Sequence, residues 1–143
     1  MASIRKEIVI DTGLEPAWDA LRRVGEAHTL FAPVLTGARM ADDVRTVHFA
    51  NGIAVRERIL DVDDERRRVA YAALDAPSLT YHHASMQIEI AGPGRCAFVW
   101  ITDFLPAEAA SSLQPLIDQG AEALKRNLEN AASAPRASAA QPG

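Results

Sequence analysis

The order of hydrophobic and polar residues predicts one strand, two short helices, a run of strands and a long final helix. The segment SIRKEIVID alternates around Ile8 and Ile10, as a half-buried strand does. In GLEPAWDALRRV, apolar residues from Trp18 onward have helical spacing, and Pro16 suits a first helical turn. The segment EAHTLFAPVLTG predicts a second short helix that ends before Pro33, because the residue before a proline disfavours the helical conformation.

After these helices, the sequence predicts strand after strand as far as Pro106. The predicted strands are ARMA, VRTVHFA, GIAVRERILDV, RRVAYAAL, YHHASMQIEIA and RCAFVWITDFL. Between the longer ones lie DDER, DAPS and GPG, which contain residues typical of turns. Helices that are separate in sequence from an antiparallel sheet predict an α+β fold.

The last predicted element is a helix from about Ala107 to Asn130. Its apolar stripe consists of Leu113, Leu116, Ile117, Gly120, Leu124 and Leu128. Pro115 either kinks this helix or marks its true start. The segment AASAPRASAAQPG that follows is low in complexity, so we expect one folded domain over residues 1–130 and a disordered tail over residues 131–143.

Alternation within each strand predicts which side chains face the helix. In GIAVRERIL the arginines favour the solvent side, which places Glu57 inward together with Ile53, Val55 and Ile59. The other inward sets are Val69, Tyr71 and Ala73; His82, Ala84, Met86, Ile88 and Ile90; and Phe98, Trp100, Thr102 and Phe104. In VRTVHF, the set Arg45, Val47 and Phe49 is favoured over the competing set Val44, Thr46 and His48.

Polar groups therefore fall on the predicted interior, namely Arg45, Glu57, His82 and Thr102, with Tyr71 among them. A buried charge is costly unless it is paired or hydrated, so a water-containing pocket is the interpretation we favour. Each residue also has a structural alternative. In that alternative, Glu57 and Arg45 form a purely structural ion pair, and His82 is a core histidine that is hydrogen-bonded to the backbone. Tyr71 and Trp100 are then ordinary core residues. Their convergence on one concave face is typical of a small-molecule site.

The segments VRERILDVDDERRRVAY, WITDFLP and DQGAEALKRNLE resemble the START-like superfamily, which has a helix-grip fold. This superfamily includes polyketide cyclase/dehydrases and lipid carriers. The resemblance covers residues 4–130 and implies a curved antiparallel sheet of six to seven strands. It also implies two short helices after the first strand and a long C-terminal helix over the concave face.

The resemblance also implies roles for individual residues. A Glu-Arg pair before an Asp-Asp hairpin carries the Glu into the cavity in such proteins, and Glu57 lies in a matching segment. An aromatic residue that lines the pocket corresponds to Tyr71. A tyrosine often opens the sixth strand, where this chain has His82, or His83 if the register is shifted by one residue.

The inward polar residues and the resemblance together predict binding of a small hydrophobic or aromatic molecule in an internal cavity. We expect catalytic roles for Glu57 and His82 if the protein is a cyclase/dehydrase-like lyase or isomerase that needs no metal. The alternative is a carrier of a lipid, sterol or aromatic ligand without chemistry. The predicted ligand-binding residues are Arg45, Val47, Val55, Tyr71, Ala84, Met86, Trp100, Thr102, Leu116 and Gly120.

Composition and charge limit the kinds of partner that we expect for this protein. The net charge of −4 gives no basic surface for nucleic acid, and no stretch has the length and apolarity of a membrane span. The single cysteine, Cys96, excludes an internal disulfide, and we expect a cytoplasmic protein without a cofactor. No Cys/His cluster has zinc spacing, so no metal is expected. Leu60, Val99 and Ile101 lie on the predicted outer sheet face, where they indicate a possible homodimer.

Overall fold

The computed structural model describes residues 2–133, in which seven strands form one antiparallel sheet that packs against a long helix. The strands are β1 (Ala2–Ile10), β2 (Leu35–Ala41), β3 (Val44–Phe49), β4 (Ala54–Asp63), β5 (Arg68–Ala73), β6 (Tyr81–Ile90) and β7 (Cys96–Leu105). The helices are α1 (Leu14–Leu21), α2 (Ala27–Leu30) and α3 (Ala110–Ser133), with 3₁₀ turns at Val24–Glu26 and Ala107–Ala109. These elements agree with the order that the sequence predicts.

The strand order is β1-β7-β6-β5-β4-β3-β2. Strands β2 to β7 follow one another along the sheet, as short turns between antiparallel strands require. Only β1 lies out of sequence, because it pairs with β7 at one edge while β2 forms the other edge. The segment with α1 and α2 must therefore cross from one edge of the sheet to the other, and both helices bury residues in the main core.

The predicted strand faces are confirmed over most of the sheet. In β4, the arginine side is exposed, whereas Val55 is buried and Glu57 half-buried. In β3, Arg45 and Val47 are buried, which confirms the favoured set. Ile90 is an exception and is 77% exposed. It lies beyond Gln87, where pairing between β5 and β6 stops, so no neighbouring strand covers that side.

The outer sheet face offers less apolar surface than the sequence predicts. Leu60 is exposed, but Val99 is buried, because it lies between Glu7 and Gln87 in the pairing register. A homodimer through this face stays a prediction. Because Val99 is buried, it could add little surface to such an interface.

Helix α3 is buried through its middle turns rather than at either end. The residues of α3 that are buried are Ile117, Gly120, Ala121, Ala123, Leu124 and Leu128. Pro115 lies inside the helix rather than at its start, and it leaves the carbonyl of Ser111 without its usual helical donor. The helix continues to Ser133, beyond the predicted end at Asn130, and positions 134–143 of the predicted tail lie outside the described residues. No helix within 2–133 is long and apolar enough to cross a bilayer.

Candidate functional site

A cavity of about 370 Å³ lies between the inner face of the sheet and α3. Its walls come from strands β3 to β7, from α2 and the segment after it, and from the first half of α3. This volume lies within the range of small-molecule sites, roughly 300–1,000 Å³. The lining is mostly apolar, and the polar side chains of its interior lie along β3 to β7.

The exposed members of the lining locate the entrance. Asn51 and Ile53 come from the turn between β3 and β4, Pro77 and Ser78 from the loop between β5 and β6, and Leu116 from α3. We therefore place the mouth between these two loops and the first turns of α3. The buried and half-buried lining residues form the interior.

An ion pair between Arg45 and Glu57 is the charged centre of the cavity wall. Strand pairing places Arg45 directly opposite Glu57, with their side chains only 8% and 12% exposed. Arg45 Nε and Nη2 donate to the same oxygen, Glu57 Oε1, at 3.0 and 2.7 Å. Arg45 Nη1 donates to the carbonyl of Val24 at 3.1 Å, and the guanidinium lies 5.3 Å from the centre of the Tyr71 ring. The guanidinium is thus held from three sides.

The second oxygen of Glu57 is free for other interactions. Within residues 2–133, no hydrogen bond reaches Oε2, and this atom is not among the fully buried atoms that lack a partner. Burial raises the pKa of the Glu57 carboxyl, while the charge and hydrogen bonds of Arg45 partly offset this rise. Glu57 therefore presents one unused acceptor to the cavity.

Tyr71 supplies a donor beside this acceptor. Trp100 Nε1 donates to Tyr71 Oη at 3.2 Å, so the phenolic hydrogen stays available. Burial raises the pKa of Tyr71, and the nearby charge of Glu57 raises it further. The phenol therefore stays protonated at neutral pH.

His82 occupies the place where β5 and β6 separate. Their pairing ends at Tyr71 and Ala84, and beyond it the backbone N–H of Ala73 donates to His82 Nδ1 at 2.9 Å. Because Nδ1 accepts a hydrogen bond, the neutral ring carries its proton on Nε2. Burial, together with a smaller effect of the nearby His83, lowers the pKa of His82 to about 4. His82 is thus a neutral hydrogen-bond donor toward the cavity.

The pKa of His82 predicts a pH-dependent stability. Its unfolded value is near 6.5 and its folded value about 4, so the unfolded chain takes up a proton first as the pH falls through this window. Stability should be full above pH 6.5 and decline toward pH 4. The free energy of unfolding of the wild type should fall as the pH is lowered from 7 to 4.5. We expect this decrease to be smaller by about 2 kcal/mol in His82→Asn.

Urea unfolding at both pH values measures this difference, and His83→Asn on the opposite strand face serves as the control. Equal pH dependence in the two variants would contradict the assignment of the proton to His82.

The structure brings the residues predicted from sequence together, with one exception. Those that line the cavity are Arg45, Val47, Val55, Glu57, Tyr71, His82, Met86, Trp100, Thr102, Leu116 and Gly120. Ala84 is fully buried but is not part of the lining. It lies between Tyr71 and Thr102 in the sheet, and these longer side chains separate it from the cavity.

Sequence reasoning missed the contributions of α2 and the loops. The additional lining residues include Phe31, Val34, Leu35, Phe49, Asn51, Ala73, Ala76, Leu79, Leu113 and Ile117. Phe49 and Ala73 belong to the predicted inward sets, and Leu113 and Ile117 to the predicted stripe, so the patterns contained a signal for these four. Alternation contains no such signal for Phe31 or for the loop residues, because their direction depends on the tertiary path of the chain.

Gly120 allows α3 to pass close to Trp100. A Cβ at this position would lie 3.0 Å from Trp100 Cζ3, and the Trp100 ring packs near Phe31 and Phe98 with centroids 5.9 Å away. The indole N–H of Trp100 also donates a hydrogen bond to Tyr71 Oη, so the ring has little freedom to move aside.

We expect Gly120→Ala to destabilise the protein by about 1 kcal/mol on balance. Alanine has the higher helix propensity, by about 1 kcal/mol, and this gain opposes the steric cost. The steric conflict, typically about 1–3 kcal/mol, should exceed the gain in helix propensity. Urea unfolding and tryptophan fluorescence measure the effect. The exposed neighbour Gln119→Ala is the control and should change stability by less than about 0.5 kcal/mol. A stabilised Gly120→Ala would contradict the close contact.

Within residues 2–133, no group of three or more His, Cys, Asp or Glu side chains is arranged to hold a metal ion. Cys96 is free and buried. The titratable groups that line the cavity are the carboxyl of Glu57, the imidazole of His82, the phenol of Tyr71 and the guanidinium of Arg45.

A curved antiparallel sheet with a long helix over a cavity defines the helix-grip class of the START-like superfamily, and this confirms the predicted fold. The family described as polyketide cyclase / dehydrase and lipid transport matches residues 1–129. The chain belongs to this family.

Solved structures share the fold. XoxI from Bacillus cereus has a TM-score of 0.81 at 19% identity, with 92% of this chain and 99% of that chain covered. Norcoclaurine synthase from Thalictrum flavum has a TM-score of 0.72 at 16% identity, with 94% of each chain covered. A protein from Thermobifida fusca has a TM-score of 0.66 at 27% identity, with 90% of this chain and 96% of that chain covered. No match is found among curated protein sequences.

Proposed function

We propose that the protein binds a small hydrophobic or aromatic molecule in the cavity beneath α3. The observation that carries this proposal is a mostly apolar space of about 370 Å³ whose wall contains hydrogen-bonding groups that have no partner within residues 2–133. These groups include Glu57 Oε2, the hydroxyl hydrogen of Tyr71, the Nε2–H of His82 and the hydroxyl of Thr102. A buried polar group without a partner is costly, so this arrangement favours a ligand whose polar end pairs with them.

The comparisons support the proposal at a general level. The family description includes polyketide cyclases and lipid transport, both of which concern hydrophobic small molecules. One structure of the Thalictrum flavum norcoclaurine synthase is a complex with dopamine and hydroxybenzaldehyde, which are small aromatic compounds. Its TM-score of 0.68 at 16% identity shows a shared fold, and we propose that the cavity of this chain serves a ligand of similar size.

The first experiment is mass spectrometry of small molecules that copurify with the protein, followed by native mass spectrometry with the compounds found. Binding should then be measured in Leu113→Trp, which places a large ring on the cavity wall. The control is Leu60→Trp, which adds the same ring on the exposed outer face. We expect at least tenfold weaker binding in the first variant only. Equal binding by both variants would place the ligand elsewhere and contradict the proposal.

An enzyme that uses Glu57 as a general base is the second candidate. The free Oε2 and the raised pKa of Glu57 favour it, because a base must reach a substrate proton and have suitable basicity. His82 suits a different role from that of a base, since its Nδ1 is occupied by Ala73 and its Nε2 carries the proton. In this scheme His82 and Tyr71 donate to the oxygen of a developing enolate.

Turnover of candidate polyketides separates an enzyme from a carrier. If Glu57 is the base, Glu57→Gln should lower the rate by about 10²–10⁴-fold while the substrate still binds. Its pH–rate profile should also lose the limb that reports the ionisation of Glu57. Ligand binding with no turnover across such substrates would favour the non-catalytic carrier.

A further inference from the structure

We propose that the Arg45–Glu57 ion pair makes the cavity select neutral ligands that carry a hydroxyl group and reject carboxylates. This inference rests on the proposed binding function and adds the chemical class of the ligand. It depends on three features of the cavity: which of its charges are already neutralised, which polar atoms stay unused, and where those atoms lie.

The charges that face the cavity cancel one another. Arg45 and Glu57 are the only lining residues in the described chain with formal charges, since His82 is neutral at pH 7. The guanidinium directs Nε and Nη2 to Glu57 and Nη1 to the Val24 carbonyl. A ligand carboxylate would therefore lose its hydration without gaining a free cation, and it would lie near the negative charge of Glu57.

The unused atoms match a hydroxyl group. The Glu57 carboxylate accepts at Oε2, Tyr71 Oη–H and His82 Nε2–H donate, and the Thr102 hydroxyl can do either. The Tyr71 ring contacts both neighbours, with Arg45 5.3 Å from its centre and the His82 ring centroid 5.7 Å away. A ligand hydroxyl donates one hydrogen bond through its O–H and accepts others at its oxygen, so it can satisfy both kinds of group. A ketone or ether would leave the acceptor unpaired.

A matched series of probes tests this selection on the wild-type protein. The probes are 2-naphthol, 2-methoxynaphthalene and 2-naphthoate, which share one ring system and differ in the polar group. At pH 7.5, we expect 2-naphthol to bind at least tenfold more tightly than either of the others. Calorimetry or ligand fluorescence gives the dissociation constants, and competition with a copurified ligand confirms that the cavity is occupied.

Removing the negative charge should change the preference. In Glu57→Gln the charge of Arg45 is no longer neutralised, so we expect 2-naphthoate to bind at least tenfold more tightly than it binds to the wild type. Glu89→Gln removes the same charge on the outer, exposed side of β6 and should leave both affinities unchanged. The wild-type probe series tests the inference independently of whether Glu57→Gln folds.

Three results would overturn the inference. They are equal binding of 2-naphthoate and 2-naphthol to the wild type, equal binding of 2-naphthol and its methyl ether, and no gain for 2-naphthoate in Glu57→Gln. Each of these leaves the binding function itself in place. That function fails separately if neither the probes nor copurified compounds occupy the cavity.

Discussion

Replacing Arg45 by Met is expected to destabilise the protein by about 3–5 kcal/mol, because it leaves the buried Glu57 carboxylate without its partner. Both side chains are almost fully buried, and both hydrogen bonds that Arg45 donates to Glu57 end on one carboxylate oxygen. Removing one member of such a pair costs far more than the pair contributes on balance. Urea unfolding at pH 7 and 25 °C measures the loss.

The loss in Arg45→Met should depend on pH in a defined direction. Burial already raises the pKa of Glu57, and without Arg45 nothing offsets that rise. A carboxyl whose folded pKa lies above its unfolded value favours folding when it is protonated, so stability falls as the pH rises through the folded pKa. The deficit of Arg45→Met should therefore be largest at high pH and shrink as the pH falls toward 5.

The double variant Arg45→Met with Glu57→Met provides the control. Removing both charges leaves two apolar side chains in place of the pair, and such exchanges are often neutral or stabilising. We expect the double variant to recover most of the stability and to lose the pH-dependent deficit. A double variant as unstable as Arg45→Met would show that Arg45 acts through packing rather than through Glu57.

The second large effect is expected for Leu124→Ala in the C-terminal half of α3, which should cost about 2–5 kcal/mol. Leu124 is fully buried in the main core, where it lies with Ile10 and Phe98. Truncation removes its buried methyl groups and leaves a cavity that the surrounding residues fill only in part. Chemical or thermal unfolding measures the change.

Leu116→Ala is the matched control on the same helix. Leu116 lies about two turns earlier and is 37% exposed at the cavity mouth. The same truncation there should cost less than about 1 kcal/mol, because much of the side chain is already in water. Similar losses in the two variants would contradict the conclusion that the middle turns of α3, and not its first turns, hold it in the core.

The sequence was most informative where alternation and charge acted together. Arginines on one side of β4 determined the direction of Glu57, and the pairing of β3 with β4 then placed Arg45 opposite to it. Strand periodicity thus predicted the charged wall of the cavity. It also placed Tyr71 and His82 on the same face, where the structure brings their rings together.

Other features depend on tertiary structure that local patterns do not encode. Ala84 lies on the predicted inner face of the sheet. It does not line the cavity, because it lies between the longer side chains of Tyr71 and Thr102. Phe31 reaches the cavity because of the path of the chain after α2. The neutral tautomer of His82 follows from the hydrogen bond that the backbone N–H of Ala73 donates to its Nδ1. This hydrogen bond exists only because β5 and β6 separate there. The predicted catalytic role of His82 stays a prediction, and its geometry favours donation.

The unequal burial of α3 divides two tasks along a single helix. Its middle turns are buried in the core, whereas positions near Ser112 and Leu116 border the entrance of the cavity and contribute little to the core. Substitutions in those first turns are therefore expected to change the shape and polarity of the entrance at little cost in stability. For the ligand-binding function proposed above, this separation leaves room for new ligand specificities to arise by mutation.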